Sequence, residues 1–180
     1  EKDMSTNTFS PSGEPHDGRR VFRLSGPDRL HFMQNLVTND VAPSGLTYAA
    51  LLDAKGRFVA DFFLLETGEA MLLDTSEAEA AALIQRLNMY KLRAQVTIEA
   101  TDIRPRRGLG EAPVGGFADP RHEALGWRAY DDAATGPRHV DWDAIRVAHC
   151  IPEFPEELSA DTLILQAGFE RLNGVNFQKG

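Results

Sequence analysis

The chain carries one cysteine, Cys150, in 180 residues. A lone thiol builds no disulfide framework and cannot ligate an iron–sulfur cluster within one chain. The five histidines, His16, His31, His122, His139 and His149, are scattered and show no spacing of the H-x₃-H kind, which argues against a structural metal site. No apolar run approaches twenty residues, which excludes a membrane-spanning helix. The polar stretch 1–17 lacks the apolar segment of a secretory signal, and a soluble cytoplasmic protein is the expectation. Positive charge is also short, with 19 Lys and Arg against 27 Asp and Glu and a net charge of −8. That balance argues against direct nucleic-acid binding, which usually needs a basic face. It leaves room for a local basic pocket that takes an anionic small molecule.

What is present is a core and a pattern. With 42% hydrophobic residues, the chain can bury a core without disulfides or metals. Residues 20–25 alternate as a strand, and Gly26-Pro27-Asp28 breaks them before a short helix carrying Phe32, Met33 and Leu36. Turn formers over 38–45 predict a loop. Strand-like runs follow at 46–52, 58–65 and 70–73, separated by turns that each offer a glycine. Ser76 and Glu79 form a capping-box pattern ahead of Ala80, Leu83, Ile84 and Leu87 at helical spacing. Residues 94–100 alternate again. Hairpins, a helix and a returning strand describe an α+β fold of antiparallel sheets with a ferredoxin-like layer.

The texture then turns to Pro, Gly and Arg. The expected organisation is a disordered arm over 1–18, a ferredoxin-like part over 19–103, a linker or long loop over 104–125, and the rest of the same domain over 126–180. A strand is expected near 126–131 and a helix after Asp141. The tail 151–180 shows no regular period.

Four places hold chemistry worth weighing. Asp61 lies inside a strand, where aspartate is depleted and its burial is costly unless paired. Alternation puts Val59 and Asp61 on one side and Phe58, Ala60 and Phe62 on the other. Asp61 is therefore either on a solvated face, the reading that spacing alone favours, or held for a purpose. The polar run Gln34-Asn-Leu-Val-Thr-Asn-Asp40 suits loop capping. Lys179 ends a short alternating stretch and is either a solvated terminal lysine or a pin for a carboxylate or phosphate. Cys150 beside Ile151 reads as a buried structural thiol. The glycine-rich stretch 108–116 lacks phosphate-loop spacing, and no Ser/His/Asp arrangement is visible.

Individually weak, these signals occur in a telling order. The series Phe22-x-x-x-Gly26-x-Asp28-x-x-x-Phe32-x-Gln34, Thr38-Asn-Asp-Val41, Tyr48, Gly56-Arg57-x-x-x-Asp61 and Leu87…Tyr90-x-Leu-Arg93 resembles the N-terminal region of YgfZ-type folate-binding proteins, relatives of the glycine-cleavage T-protein. Arg146…Ile151-Pro152 and Leu172-Asn-Gly-Val-Asn-Phe-Gln-Lys179-Gly180 resemble later elements, the second leading into the family signature Lys-Gly-Cys-Tyr-x-Gly-Gln-Glu. The resemblance implies a central folate cavity, with the family's C-terminal β-barrel lying beyond Gly180. It implies tetrahydrofolate as cofactor and a role supporting iron–sulfur client enzymes, with tRNA modification affected indirectly. Asp61 matches the T-protein carboxylate that meets the pterin. Lys179 matches the signature lysine, and Arg57 and Asn39 match positions near the cavity. Where the T-protein has paired aspartates this chain has Ala60-Asp61, and Cys150 stands where the family prefers glycine. Two rival readings stay open: an aminomethyltransferase, and a scaffold that has lost folate binding.

Overall fold

The computed structural model describes residues 12–179. Its elements, in chain order, are β1 (Glu14–Pro15), β2 (Arg19–Ser25), α1 (Arg29–Leu36), β3 (Gly45–Leu52), β4 (Phe58–Glu66), β5 (Met71–Ser76) and α2 (Glu77–Lys91). There follow β6 (Thr97–Ala100), β7 (Arg106–Gly108), β8 (Gly116–Ala118), a 3₁₀ turn at Glu123–Leu125, β9 (Trp127–Ala129) and α3 (Trp142–Ala148). The fold is α+β, with two antiparallel sheets and no barrel among the described residues. The larger sheet runs β3-β4-β5-β2-β6. Without β3 this is the ferredoxin-like order, and β3 extends it at one edge.

The local chemistry explains the elements. Asp53 and Gly56 close the β3–β4 hairpin: the Gly56 N–H donates to the Asp53 carbonyl at 2.9 Å, and Gly56 sits at φ +76°. Ser76 caps α2, its Oγ accepting the Glu79 N–H at 3.2 Å. At Gly26 (φ +110°) an added Cβ would lie 2.0 Å from the Gln95 carbonyl oxygen. Gly26→Ala is therefore expected to cost about 1–3 kcal/mol in urea denaturation, the range for forcing a side chain into a sparse backbone region.

Both faces of the larger sheet are covered. Phe22, Leu24, Ala60, Phe62, Leu64 and Leu73 pack against Phe32 and Met33 of α1 and Leu83 and Leu87 of α2. On the opposite face Tyr48, Ala50, Phe58 and Phe63 meet Trp142 of α3 and Ile151, Leu158, Ile164, Phe169 and Leu172 from the turn-built tail. Val21, Leu65 and Leu72 on that face meet Phe117 of the smaller sheet, whose order is β1-β7-β9-β8, and Tyr130 just after β9.

Three expectations meet a different arrangement. Of the arm expected over 1–18, residues 1–11 lie outside the described residues, whereas Glu14–Pro15 pairs with β7. The buried Glu14 carboxylate accepts hydrogen bonds from the His139 N–H (2.9 Å) and from the Trp142 indole, so polar residues here are sequestered by partners distant in sequence. The stretch expected as a linker, 104–125, supplies β7, β8 and the 3₁₀ turn; its strands are too short to show alternation. Cys150 is exposed, because α3 ends at Ala148 and Cys150 takes the left-handed φ of +53°. That conformation, which glycine adopts freely, turns the residue away from the core.

Candidate functional site

Alternation fails in β4 at one point. Between Leu51 and Leu52 the register to β4 shifts, so that Ala60 pairs with Leu51 and Phe58 with Leu52, and Val59 is the extra residue. Such a bulge rotates the side chains before it. Phe58 therefore joins Phe63 on the second face, while Val59, Ala60 and Phe62 pack on the helical face. Asp61 is directed into the second side of the sheet, which the tail and the smaller sheet cover. It is 8% exposed; the solvated face that spacing favoured is not where it lies.

The Asp61 carboxylate accepts the Tyr48 O–H at 2.6 Å. Its own backbone N–H donates to Glu79 Oε1 at 3.1 Å, and the Ser76 O–H donates to Glu79 Oε2 at 2.6 Å. The second arm of the Ser76–Glu79 capping box thus reaches the neighbouring strand. Burial, and then the charge of Asp61, push the Glu79 carboxyl up to about 9, so it holds its proton at neutral pH. Burial likewise pushes the Tyr48 phenol up, with the Asp61 charge adding to it, and Tyr48 stays a donor.

These groups open on a cavity of about 180 Å³ whose walls include Asp61, Ser76, Glu79, Phe63, Arg19 and Arg121. Arg121 is 5% exposed and forks onto Asp119 at 3.1 and 2.9 Å, with Nη1 3.5 Å from Glu153. Burial alone would lower the Arg121 pKa; Asp119 outweighs it and raises it. The guanidiniums of Arg128, Arg121 and Arg19 lie 4.2, 4.9 and 5.8 Å from the centre of the Phe63 ring. One aromatic face thus sits among three cations, an arrangement strengthened by desolvation. Behind it Asp74 accepts from Arg19 Nε (2.7 Å), Arg128 Nη2 (2.6 Å) and the Tyr130 O–H (2.8 Å).

The structure separates Asp61 from the other residues singled out in the sequence. Lys179 Nζ donates to the backbone carbonyls of Val37 and Asn39, both at 2.6 Å, and burial lowers its pKa, with Asp40 opposing. Asn39 Nδ2 donates to the carbonyls of Tyr48 (3.0 Å) and Asn173 (2.7 Å). Lys179 and Asn39 thus come together, binding the tail to the β3 edge. Arg57 lies at the β3–β4 hairpin with its Nε 2.9 Å from Asp53. None of the three lines the Asp61 cavity. Sequence reading missed Glu79, Arg121 and Arg128 as site residues. For Glu79 the signal was there, in a capping box whose glutamate has two possible destinations. Arg121 and Arg128 carried none, standing in or beside a segment with a linker's composition.

Comparison with known proteins gives the arrangement a context. No protein-family model matches the chain. An iron–sulfur cluster assembly factor IBA57 homolog of Phaeosphaeria nodorum is 29% identical over 92% of this chain and 48% of its own length. The mouse IBA57 is 29% identical over 91% of this chain and 58% of its own, and the human one 25% over 98% and 64%. The relatives it matches are iron–sulfur cluster assembly factors. The chain spans about half to two thirds of their length. A solved glycine cleavage system aminomethyltransferase T from Bartonella henselae superposes on 53% of this chain and 29% of that one, at TM-score 0.46 and 13% identity. The cytoplasmic expectation is overturned, because these relatives are mitochondrial by name. The inference failed physically: lack of an apolar segment speaks only to secretory signals, whereas mitochondrial targeting segments are amphipathic and basic. Among the described residues no helix is long and apolar enough to cross a membrane.

Proposed function

We propose that this chain binds tetrahydrofolate at the Asp61 cavity and serves as an accessory to iron–sulfur cluster assembly, in the manner of the YgfZ-type proteins it resembles. The observation that carries the reading is a buried strand carboxylate, Asp61, on the wall of a cavity that also holds an aromatic face and a buried cation. Those are the chemical needs of a pterin: a carboxylate for its donor edge, an apolar wall for its ring, and a cation for nearby negative charge. The cavity's 180 Å³ falls below the ~300–1,000 Å³ of pockets that enclose whole drug-sized ligands. It suits the ring end of a folate, with the remainder leaving past Arg121 and Glu153. Asp61 would hold the donor edge, Phe63 would face the ring and Arg121 would supply positive charge. Bound tetrahydrofolate is a carrier of one-carbon units. Arg57, Asn39 and Lys179, off this cavity, order the β3 edge and hairpin that frame it. The similarity to iron–sulfur assembly factors supports the cellular role, with iron–sulfur enzymes as clients and tRNA modification as a downstream beneficiary.

Calorimetric titration of tetrahydrofolate tests this directly. Asp61→Asn is expected to weaken binding by about 1–3 kcal/mol, the effect of losing a charged hydrogen bond, while Arg57→Ala leaves it within twofold. Absence of binding to the wild-type chain, or an Asp61→Asn protein that binds as well as wild type, would sink the reading.

A further inference from the structure

We propose that Glu79 is the positioning residue of the Asp61 cavity, fixing the Asp61 carboxylate so that the pair presents its acceptors to an uncharged, donor-bearing ring edge. This rests on the folate reading of the same cavity and adds to it a second carboxyl.

The geometry begins at the N-terminus of α2. Glu79 is 2% exposed and is anchored twice, by the Ser76 O–H at 2.6 Å and by the Asp61 backbone N–H at 3.1 Å. It also shares a side-chain hydrogen bond with Asp61. Tyr48 holds the same carboxylate from β3, its O–H 2.6 Å from Asp61 Oδ2. A carboxylate between two donors of this kind has little rotational freedom, so its remaining lone pairs point one way, into the cavity that both residues line.

Two carboxylates in contact would carry two charges; one carboxylate beside one carboxylic acid carries one. Arg121 and Arg19 line the same walls, each already paired, with Asp119 and Asp74 respectively, and Glu153 and Glu156 line them too. A neutral edge of N–H donors therefore meets acceptor lone pairs that Tyr48 and Glu79 hold in place. Among the described residues, the titratable groups on or beside the cavity walls are Tyr48 from β3, Arg19 from β2, Arg121 before the 3₁₀ turn, and Glu153 and Glu156 from the tail. The pair loses its shared proton as the pH rises through about 9, and that hold on the Asp61 carboxylate is then expected to fail.

The test measures tetrahydrofolate binding to the wild-type chain, Glu79→Gln and Glu79→Ala between pH 7 and 10. Wild-type affinity is expected to fall at least fivefold across pH 9. Glu79→Gln, a neutral isostere that still donates and accepts, should bind within threefold of wild type at pH 7 and lose that fall; titration of the ligand itself would show equally in both. Glu79→Ala should bind at least tenfold more weakly at pH 7. A Glu79→Gln protein that keeps the wild-type pH slope, or binds as poorly as Glu79→Ala, overturns the proposal even where Asp61→Asn upholds the folate site. No wild-type binding at any pH overturns the folate reading and, with it, any ligand-positioning role. Unfolding of the unliganded proteins checks the pairing separately. The Glu79 carboxyl is raised from its ordinary 4.5, so its contribution is full below about pH 4.5, declines as the pH rises and is gone above about pH 9. Glu79→Gln should remove that decline.

Discussion

Asp74→Ala is expected to destabilise the protein by about 3–5 kcal/mol, the effect of breaking a buried ion pair by removing one partner. Asp74 is 1% exposed and joins three separate elements. It takes hydrogen bonds from Arg19 of β2 and from Arg128 of β9, while Tyr130 just after β9 donates its O–H. Its backbone carbonyl takes a further bond from Arg19 at 3.0 Å. Removing the carboxylate takes from the Arg128 guanidinium, also 1% exposed, its one direct ion-pair partner among the described residues, leaving the Phe63 ring, the Tyr130 hydroxyl and the more distant charge of Asp119. Desolvation of an unpaired guanidinium far exceeds what a ring face returns, about 2 kcal/mol even when dry. Asp74→Asn keeps an acceptor and should lose less. Burial pushes the Asp74 carboxyl up, but Arg19 and Arg128 outweigh it and hold it below its usual value. The pair's contribution to stability is thus present above pH 3.8, the ordinary value, and is lost as the pH falls below it. Urea denaturation at neutral pH and at pH 3 decides this. A loss under 1 kcal/mol at neutral pH would mean that the two sheets do not depend on this junction.

The part of the fold that was legible in the sequence is the part with a period or a bounded apolar run. β2 and α2 show alternation or helical spacing over at least seven residues, and β3 and β4 are apolar runs between turn formers, buried on both faces. Alternation did place Asp61 opposite Ala60 and Phe62; the facing of Phe58 and Val59 was not legible, because the bulge at Leu51/Leu52 inserts Val59 and alternation carries no memory across an inserted residue. Nor was the covering of the face that Asp61 is on. The cations that neutralise Asp74 and Asp119 come from 19, 121 and 128, and a buried arginine in a three-residue strand looks like a solvated one until its partner's position is known. Glu79 is the intermediate case. Its capping role was legible, and the tertiary use of its carboxyl was not, since that depends on β4 passing beside the start of α2.

The tail 151–179 shows the same limit most plainly, and one substitution in it has a large expected effect. Ile151, Leu158, Ile164, Phe169 and Leu172 are all buried, at intervals that follow neither a helix nor a strand, because turns place them one by one. Phe169 is fully buried, with its ring 5.5 Å from Tyr48 and 6.3 Å from Phe58. Its backbone is held independently, its N–H donating to Ile164 at 3.1 Å and its carbonyl accepting from Gly174 at 2.8 Å. Phe169→Ala therefore removes a ring from a frame that cannot close over the void, and about 3–5 kcal/mol of stability is expected to go with it. The ring also backs Tyr48, whose hydroxyl fixes Asp61. Under conditions where Phe169→Ala remains folded, tetrahydrofolate binding should weaken as well, whereas Leu83→Ala, on the helical face, should lose comparable stability and leave binding intact. Equal loss of binding in both variants would mean that the cavity depends on global stability alone; loss confined to Phe169→Ala would mean that the irregular tail, through Tyr48, sets the geometry of the site.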